Sequence, residues 1–313
     1  MAVKAIIPVG GLGTRLRPHT LTRPKVLLHV AGKPILAHIL DELIAAGIGE
    51  VVLVLGYLGE QIQEWVQNHY DIPTAFVTQR EPLGNGHAVY VAREHLDGGP
   101  ALILFGDTII RAHLPDLLAR PESSAGVKEV PDPRRFGVAE TDGDGYVTRL
   151  AEKPEHPASN LAVVGCYLIR NSRLLASSLV RLVEEDRRAR GEYWLADAVQ
   201  LMIDAGERIR TFPISHWYDC GTVEALLVAN RDLLDLSAPP PPALPDVVII
   251  PPVAVDPRAQ VTASVIGPHV SVGAGAVITG AVVRDAIVHP GAVIDGALVA
   301  GAVIGEGARV AGS

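Results

Sequence analysis

A run of glycines and cations near the start of the chain has the composition of a phosphate-binding site. Three glycines, Gly10, Gly11 and Gly13, allow a sharp turn whose exposed peptide N–H groups attract anions. The planar guanidinium of Arg15 suits phosphate oxygens, and Lys25 adds a mobile point charge. These residue types at this spacing predict a polyphosphate site.

Two common glycine loops do not fit this run. A Walker loop ends in Lys-Ser or Lys-Thr, and no such pair follows the glycines. A dinucleotide fingerprint needs a third glycine where Leu16 stands. The glycines alone are equally consistent with a tight turn. The nearby Thr14, Arg15, Arg17 and Pro24-Lys25 favour phosphate binding, because a solvated turn has no need of so many cations.

The elements that would position this run alternate along the first part of the chain. Apolar runs predict buried strands, and periodic apolar spacing predicts helices between them. The predicted strands are 3–9, 51–55, 74–77 and 101–105, and the predicted helices are 34–46, 59–69 and 86–96. This alternation predicts an α/β fold with a mostly parallel sheet and ligands at the carboxyl ends of its strands. Later helices are predicted at 173–188, at 193–205 and up to about residue 236.

Further candidate residues follow these strands. The segment from Gln79 to Gly84 follows one strand, and Asp107 follows the next. Asp107 is either a turn former or a metal-binding carboxylate. From 126 to 169 short alternating strands are predicted, and Glu152-Lys153 within them is either an exposed ion pair or a contact to a sugar phosphate.

The last part of the chain is an internal repeat after a proline-rich linker. Apolar residues recur every six positions, and the triplets of a coil begin at Ile249, Ile266, Val282 and Leu298. This spacing predicts a triangular parallel β-helix of about four coils. The predicted domains are a catalytic domain at 1–236, a linker at 237–246 and the β-helix at 247–313.

Composition sets limits on the function. The chain has 313 residues, is 48% hydrophobic and carries a net charge of −8, which argues against nucleic-acid binding. No apolar run approaches the roughly 20 residues of a membrane helix. Cys166 and Cys220 are the only cysteines, and they favour a reducing cytoplasm over a disulfide scaffold.

Several motifs in one order resemble the sugar-1-phosphate nucleotidyltransferase family, closest to the long-form glucose-1-phosphate thymidylyltransferases. They are G-G-L-G-T-R-L-R-P with a downstream P-K, Q-x-E-P-L-G, E-K-P, S-N-L-A-V-V-G, R-G-E and the Asp219-x-Gly221 pair. The resemblance covers the chain from Val3 to about Leu236 and extends to the repeat. It implies a Rossmann-like nucleotidyltransferase fold, a left-handed hexapeptide β-helix and a requirement for Mg²⁺.

The resemblance also implies roles for individual residues. The implied triphosphate ligands are Gly10, Gly11, Gly13, Thr14, Arg15 and Lys25. The implied base contacts are Gln79 and Gly84, the implied magnesium ligands are Asp107 and Asp219, and the implied sugar-phosphate contacts are Gly137, Glu152, Lys153 and Val163. Arg15, Lys25, Asp107 and Lys153 are the expected catalytic residues. Three departures are Thr108 after the first aspartate, Cys220 in the second aspartate motif and the run from Tyr193 to Ala196.

The implied reaction joins a nucleoside triphosphate to a sugar 1-phosphate and releases pyrophosphate, with dTTP and glucose 1-phosphate as the expected substrates. Uridylyl transfer to glucose 1-phosphate and guanylyl transfer to mannose 1-phosphate remain alternatives. A non-catalytic nucleotide-sugar-binding subunit and an acyltransferase site at His269 or His289 are the rivals from other classes. Histidines His19 and His87 are expected to be packing or solvated residues. An exposed last coil predicts a homo-oligomer formed through the β-helix.

Overall fold

The protein divides into two compact units that interleave along the chain. The computed structural model describes residues 3–312, so the predicted domain limits at 1 and 313 lie outside that range. The first unit contains the chain up to Leu12 together with Ile39–Trp217, and the second contains Gly13–His38 and the chain from Tyr218 onward. Across residues 3–312, no helix is long and apolar enough to cross a membrane.

Strands and helices alternate in the first part of the chain, and a run of strands follows, as the sequence predicts. The strands are β1 (Lys4–Pro8), β2 (His29–Val30), β3 (Lys33–Pro34), β4 (Val51–Leu55), β5 (Thr74–Thr78), β6 (Ala101–Leu104), β7 (Thr108–Arg111), β8 (Ser123–Glu129), β9 (Gly137–Thr141), β10 (Val147–Glu152), β11 (Leu161–Ile169), β12 (Ile209–Pro213) and β13 (His216–Asp219). The helices are α1 (Ile35–Ala45), α2 (Gly59–His69), α3 (Asn85–Val91), α4 (Leu114–Ala119), α5 (Ser172–Glu184), α6 (Leu195–Asp204) and α7 (Val223–Ser237).

The first unit contains a nine-stranded mixed sheet, as predicted. Its main path runs β10-β9-β11-β6-β1-β4-β5, and β8 pairs with both β11 and β12. Strands β5, β4, β1 and β6 are parallel, whereas β11 runs antiparallel to β6. Strand β4 is buried along its whole length, which explains its unbroken apolar sequence, since both faces of a parallel sheet are covered.

The core of the first unit packs helices α3, α5 and α6 against the sheet. Helix α5 begins at a polar cap, where Asn171 Oδ1 accepts a hydrogen bond from the backbone nitrogen of Leu174. Helix α3 is shorter than predicted, because a 3₁₀ turn at Arg93–His95 follows it. Helix α5 also ends four residues before the predicted Arg188, at Glu184. The pairing that adds β12 to the sheet through β8 was not predicted.

The repeat forms the predicted β-helix in the second unit. Its strands are β14 (Val248–Ile249), β15 (Val253–Val255), β16 (Gln260–Thr262), β17 (Val265–Ile266), β18 (Val270–Val272), β19 (Val277–Thr279), β20 (Val282–Arg284), β21 (Ala286–Val288), β22 (Val293–Asp295), β23 (Leu298–Ala300), β24 (Val303–Ile304) and β25 (Arg309–Ala311). They build three parallel four-stranded sheets, one strand per coil. The left-handed turn of the coil stays a prediction.

The predicted phase of the repeat is wrong at the first strand of each of the last two coils and correct for Val288 and Ile294, which are buried. Val282 and Leu298 were expected to point into the core, yet they are 41% and 72% exposed. The strand register aligns Ile266 with Val283 and then with Val299, and these are the buried residues. In this sheet the buried residues therefore advance by 17 positions between the second and third coils, whereas in the other two sheets Val288 and Ile294 follow Val272 and Ile278 by the predicted 16.

Between α7 and β14 the chain has neither helix nor strand, in agreement with the proline-rich composition of residues 238–247. The division at 1–236, 237–246 and 247–313 follows chain order and stays a prediction.

Candidate active site

The glycine run begins where β1 ends in the first unit. Gly10 lies so close to Gly56, which follows β4, that a Cβ atom on Gly10 would stand 2.8 Å from the Gly56 nitrogen. The backbone nitrogen of Tyr57 donates to the Gly10 carbonyl at 3.3 Å. Gly56 was not identified from the sequence, although its place directly after a buried strand beside β1 is the signal that would have found it.

The turn at Gly13 lies close to Lys25, and both residues belong to the second unit. Gly13 has φ +60° and precedes a 3₁₀ turn at Thr14–Leu16. A Cβ atom there would lie 2.9 Å from the Thr20 methyl carbon and 3.3 Å from the Lys25 Cβ. Thr20 Oγ1 donates to the Gly13 carbonyl at 2.8 Å, which fixes the turn. Glycine is therefore required here by both conformation and space.

Arg15 lies against the second aspartate motif, also within the second unit. A Cβ atom on Gly221 would stand 2.5 Å from Arg15 Nη2 and 3.0 Å from Asp219 Oδ1. The guanidinium and the carboxylate thus converge over a residue that must lack a side chain. This explains the glycine of the Asp219-x-Gly221 motif.

Asp107 lies at the carboxyl edge of the sheet, as predicted. Its neighbour Gly106 donates from its nitrogen to the Pro8 carbonyl at 3.0 Å, and a Cβ atom on Gly106 would meet Val9 at 2.5 Å. Because β1 and β6 are parallel neighbours, Asp107 follows its strand beside the start of the glycine run.

The two aspartates fit a magnesium ion by their chemistry. Asp107 belongs to the first unit and Asp219 to the second. Residues 3–312 contain no group of three or more His, Cys, Asp or Glu side chains that could hold a metal ion by themselves. Mg²⁺ is commonly held by one or two carboxylates together with substrate phosphates. The donor set therefore suits Mg²⁺, and joint binding by the two aspartates stays a prediction.

Gln79, Gly84 and His87 form one cluster in the first unit. Gln79 Nε2 donates to the Gly84 carbonyl and to His87 Nδ1, each at 3.0 Å. Burial lowers the pKa of His87, which keeps the ring neutral and its Nδ1 able to accept. His87, expected to be only a packing or solvated residue, orients a predicted base contact.

The run from Tyr193 to Ala196, seen only as a departure in the sequence, packs against this cluster. Gly84 has φ +100°, and a Cβ atom on it would stand 2.5 Å from the Tyr193 carbonyl oxygen. That carbonyl accepts from the Gly86 nitrogen at 2.9 Å, and Asn85 Oδ1 accepts from the Leu195 nitrogen at 2.8 Å. The run therefore forms one wall of the cluster.

The predicted sugar-phosphate residues come together on β9, β10 and β11. Gly137 is in register with Glu152 on one side and with Val163 on the other. A Cβ atom on Gly137 would lie 3.0 Å from Glu152 Oε2. Only glycine at this position leaves the carboxylate uncovered.

Lys153 completes this group beside a tryptophan that was not singled out for the site. Its Nζ lies 3.6 Å from Glu152 Oε1 and 3.9 Å from the centroid of the Trp194 ring. Burial raises the pKa of Glu152 to about 6, although the Lys153 charge opposes that shift. The Trp194 contact is a cation–π interaction, which holds Lys153 without neutralising it.

The fold, the glycine run and these two clusters define a nucleotidyl transferase. The family model of nucleotidyl transferases matches residues 4–235, and the chain belongs to that family.

Three relatives within this family are similar to the chain over most of its length. The chain is 37% identical over 292 residues to a glucose-1-phosphate thymidylyltransferase of Streptomyces griseus, covering 90% of this chain and 81% of the relative. It is 35% identical to the UTP–glucose-1-phosphate uridylyltransferase AglF of Haloferax volcanii, over 69% of this chain and 89% of AglF. A Bacillus anthracis crystal structure assigned as a glucose-1-phosphate thymidylyltransferase superposes with a TM-score of 0.64 at 26% identity, covering 73% of this chain and 94% of that one.

Proposed function

We propose that the protein joins a nucleoside triphosphate to a sugar 1-phosphate, forming a nucleotide sugar and pyrophosphate. One observation carries this proposal: the Gln79 cluster and the Glu152-Lys153 group share the wall formed by Tyr193 and Trp194. A base contact and a phosphate contact on either side of one short segment are what a two-substrate transfer between a nucleotide and a sugar phosphate requires.

The chemistry needs no activated side-chain nucleophile. The second pKa of a phosphate monoester is about 6, so the sugar phosphate is already mostly anionic at neutral pH. One of its oxygens attacks the α-phosphorus of the triphosphate, and the bond from that phosphorus to the β-phosphate oxygen breaks. Lys153 holds the attacking phosphate, while Arg15 and Lys25 offset the charge that develops on the leaving pyrophosphate.

The triphosphate is assigned to the glycine run and the residues just after it: Gly10, Gly11, Gly13, Thr14, Arg15 and Lys25. Asp107 and Asp219 are assigned to Mg²⁺, which, when bound, neutralises phosphate charge and aligns the transfer. At the sugar site, Glu152 accepts hydrogen bonds from sugar hydroxyls, next to Gly137 and Val163.

The orientation of Gln79 is compatible with a pyrimidine that has an imide edge. Because its Nε2 donates to Gly84 and His87, its Oε1 is the atom left to accept a hydrogen bond. The imide N–H of thymine or uracil can supply that donor. The amino groups of adenine and guanine are donors as well, so the preference for a pyrimidine rests on the thymidylyltransferase and uridylyltransferase relatives. The preference for dTTP over UTP, and for glucose 1-phosphate as the sugar, rests on the thymidylyltransferase relatives.

Substrate profiles test this assignment. We expect dTTP and UTP to be used well ahead of GTP and ATP with glucose 1-phosphate. Gln79→Met should lower kcat/KM for dTTP and UTP about tenfold, as the loss of one hydrogen bond of about 1.4 kcal/mol would do. A clear preference for GTP, with mannose 1-phosphate as acceptor, would overturn it.

Two observations disfavour an acyltransferase in the β-helix. His289 is 1% exposed, so neither of its ring nitrogens can reach an acyl acceptor in solution. His269 Nε2 lies 2.9 Å from Asp235 Oδ1, and its Nδ1 lies 3.5 Å from Asp285 Oδ1. Because two carboxylates hold the His269 ring in place, this histidine has a structural role. Acetyl transfer that depends on either histidine would revive the alternative.

We include a homo-oligomer in the proposal, formed through one sheet of the β-helix. The outward residues Val248, Val265, Val282 and Leu298 stand in register on neighbouring strands. Such a column of exposed apolar side chains is costly in water and suits a second copy of the same surface. We also place the enzyme in the cytoplasm, a setting in which two buried cysteines stay reduced.

A further inference from the structure

The segment that carries Arg15 and Lys25 is built into the same unit as the β-helix. This segment, residues 13–38 and hereafter the loop segment, precedes the β-helix by more than two hundred residues in sequence. Three sets of contacts join the two, and each involves a different part of the loop segment.

The first set centres on Asn230 of α7, which is 1% exposed. Its Oδ1 accepts from the Ala31 nitrogen at 2.9 Å and from Ser271 Oγ at 2.6 Å. Its Nδ2 donates to the His269 carbonyl at 3.0 Å. One buried amide thus bonds the tip of the β2–β3 hairpin to the second coil of the β-helix. A Cβ atom on the neighbouring Gly32 would stand 2.9 Å from the Ala254 Cβ, so the hairpin tip also packs directly on the first coil.

The second set lies just before Lys25. Arg23 Nη1 pairs with Glu306 Oε2 at 2.7 Å, and Arg23 Nε donates to the Leu27 carbonyl at 3.1 Å. Arg23 therefore holds the C-terminal end of the 3₁₀ turn Lys25–Leu27 while it contacts the last coil. The Arg23 side chain is 20% exposed and that of Glu306 is 45% exposed, so this pair can be changed without opening the core.

The third set is a group of three histidine rings. The centroid of His289, on the third coil, lies 6.2 Å from that of His19 and 6.1 Å from that of His29. A Cβ atom on Gly305 would stand 3.2 Å from His19 Nδ1, so the fourth coil also reaches this group. Contacts at residues 19, 23, 29 and 31 bracket Lys25 on both sides.

We propose that the β-helix positions the loop segment for the triphosphate, with Arg23, Glu306 and Asn230 as positioning residues. This inference rests on the proposed function, because it assigns Arg15 and Lys25 to the triphosphate. Because the loop segment is held on both sides of Lys25, binding of the triphosphate need not order it. Arg15 and Lys25 can then contact the leaving group with a smaller loss of conformational entropy. The β-helix is then part of the nucleotide site as well as an assembly surface.

A charge-reversal cycle in the full-length chain tests the proposal. Arg23→Glu and Glu306→Arg should each raise KM for dTTP about fivefold, and KM for glucose 1-phosphate should stay within about twofold, as expected for an exposed pair. The double variant, with the pair reversed, should recover the part of the dTTP affinity that depends on the ion pair, whereas the hydrogen bond from Arg23 to the Leu27 carbonyl stays lost. The matched control is the exposed Arg181–Glu185 pair of α5, 2.9 Å apart, whose reversal should leave both KM values unchanged.

Hydrogen exchange of peptides from residues 13–38 gives a second readout that needs no substrate. Exchange should quicken in each single variant and slow again in the double variant. An inactive wild-type chain would refute the proposed function, whereas the exchange pattern would still report on the positioning. Unchanged exchange and KM in both single variants, equal changes in both substrates' KM values, or no recovery in the double variant would overturn the inference.

Discussion

The buried His289 should make folding stability depend on pH. Burial, with the neighbouring His29, His19 and Arg23, lowers the pKa of His289 to about 3. The usual value is 6.5, so below it the unfolded chain binds a proton that the folded protein rejects. The contribution of His289 is therefore almost fully present above about pH 6.5 and is lost as pH decreases. At pH 5 the loss is about 1.5 units times 1.36 kcal/mol, or about 2 kcal/mol.

Denaturant unfolding at a series of pH values from 7 to 5 measures this loss. His289→Phe keeps an aromatic ring between His19 and His29 but cannot titrate. Its free energy of unfolding should fall by about 2 kcal/mol less than that of the wild type over this range. His156→Gln, at an exposed position, controls for the removal of a histidine as such. Equal pH slopes for the wild type and His289→Phe would refute the reasoning.

Three further predictions concern the site and the assembly. Asp107→Asn and Asp219→Asn should each reduce turnover at least about a hundredfold in a folded protein, and near-normal turnover would remove that residue from the metal site. KM for the sugar phosphate should rise as pH falls through about 6, where Glu152 gains a proton, and Glu152→Gln should lack this component in steady-state kinetics. Leu298→Glu should lower the mass in light scattering, whereas Leu236→Glu, also exposed, should not; equal masses would exclude the outward column as the interface.

The fold was largely predictable because its signals are local. Strand β4 and helix α2 have the predicted limits, since an unbroken apolar run and a regular amphipathic period each decide one element. The repeat was predictable for the same reason. The buried position on β20 was not, because the choice between Val282 and Val283 depends on how one coil stacks on the next, and both residues are valine.

The site was predictable where the residues that contact one another lie in one short motif. Gln79, Gly84 and His87 lie within nine residues and do form a cluster. Trp194 beside Lys153 could not be found in this way, because a contact between residues 41 positions apart requires the folded sheet. The same holds for Asn230, whose amide bonds Ala31 across 199 positions. A buried asparagine in an amphipathic helix reveals no partner in the sequence.

The central claim is that a sugar-phosphate oxygen attacks the α-phosphorus of the triphosphate. Isotope tracing measures this directly, with dTTP and glucose 1-phosphate labelled with ¹⁸O in all of its phosphoryl oxygens. We predict that every label appears in the nucleotide sugar, that pyrophosphate carries none, and that pyrophosphate forms only when both substrates are present. Label in the pyrophosphate, or triphosphate breakdown without the sugar phosphate, would contradict the account.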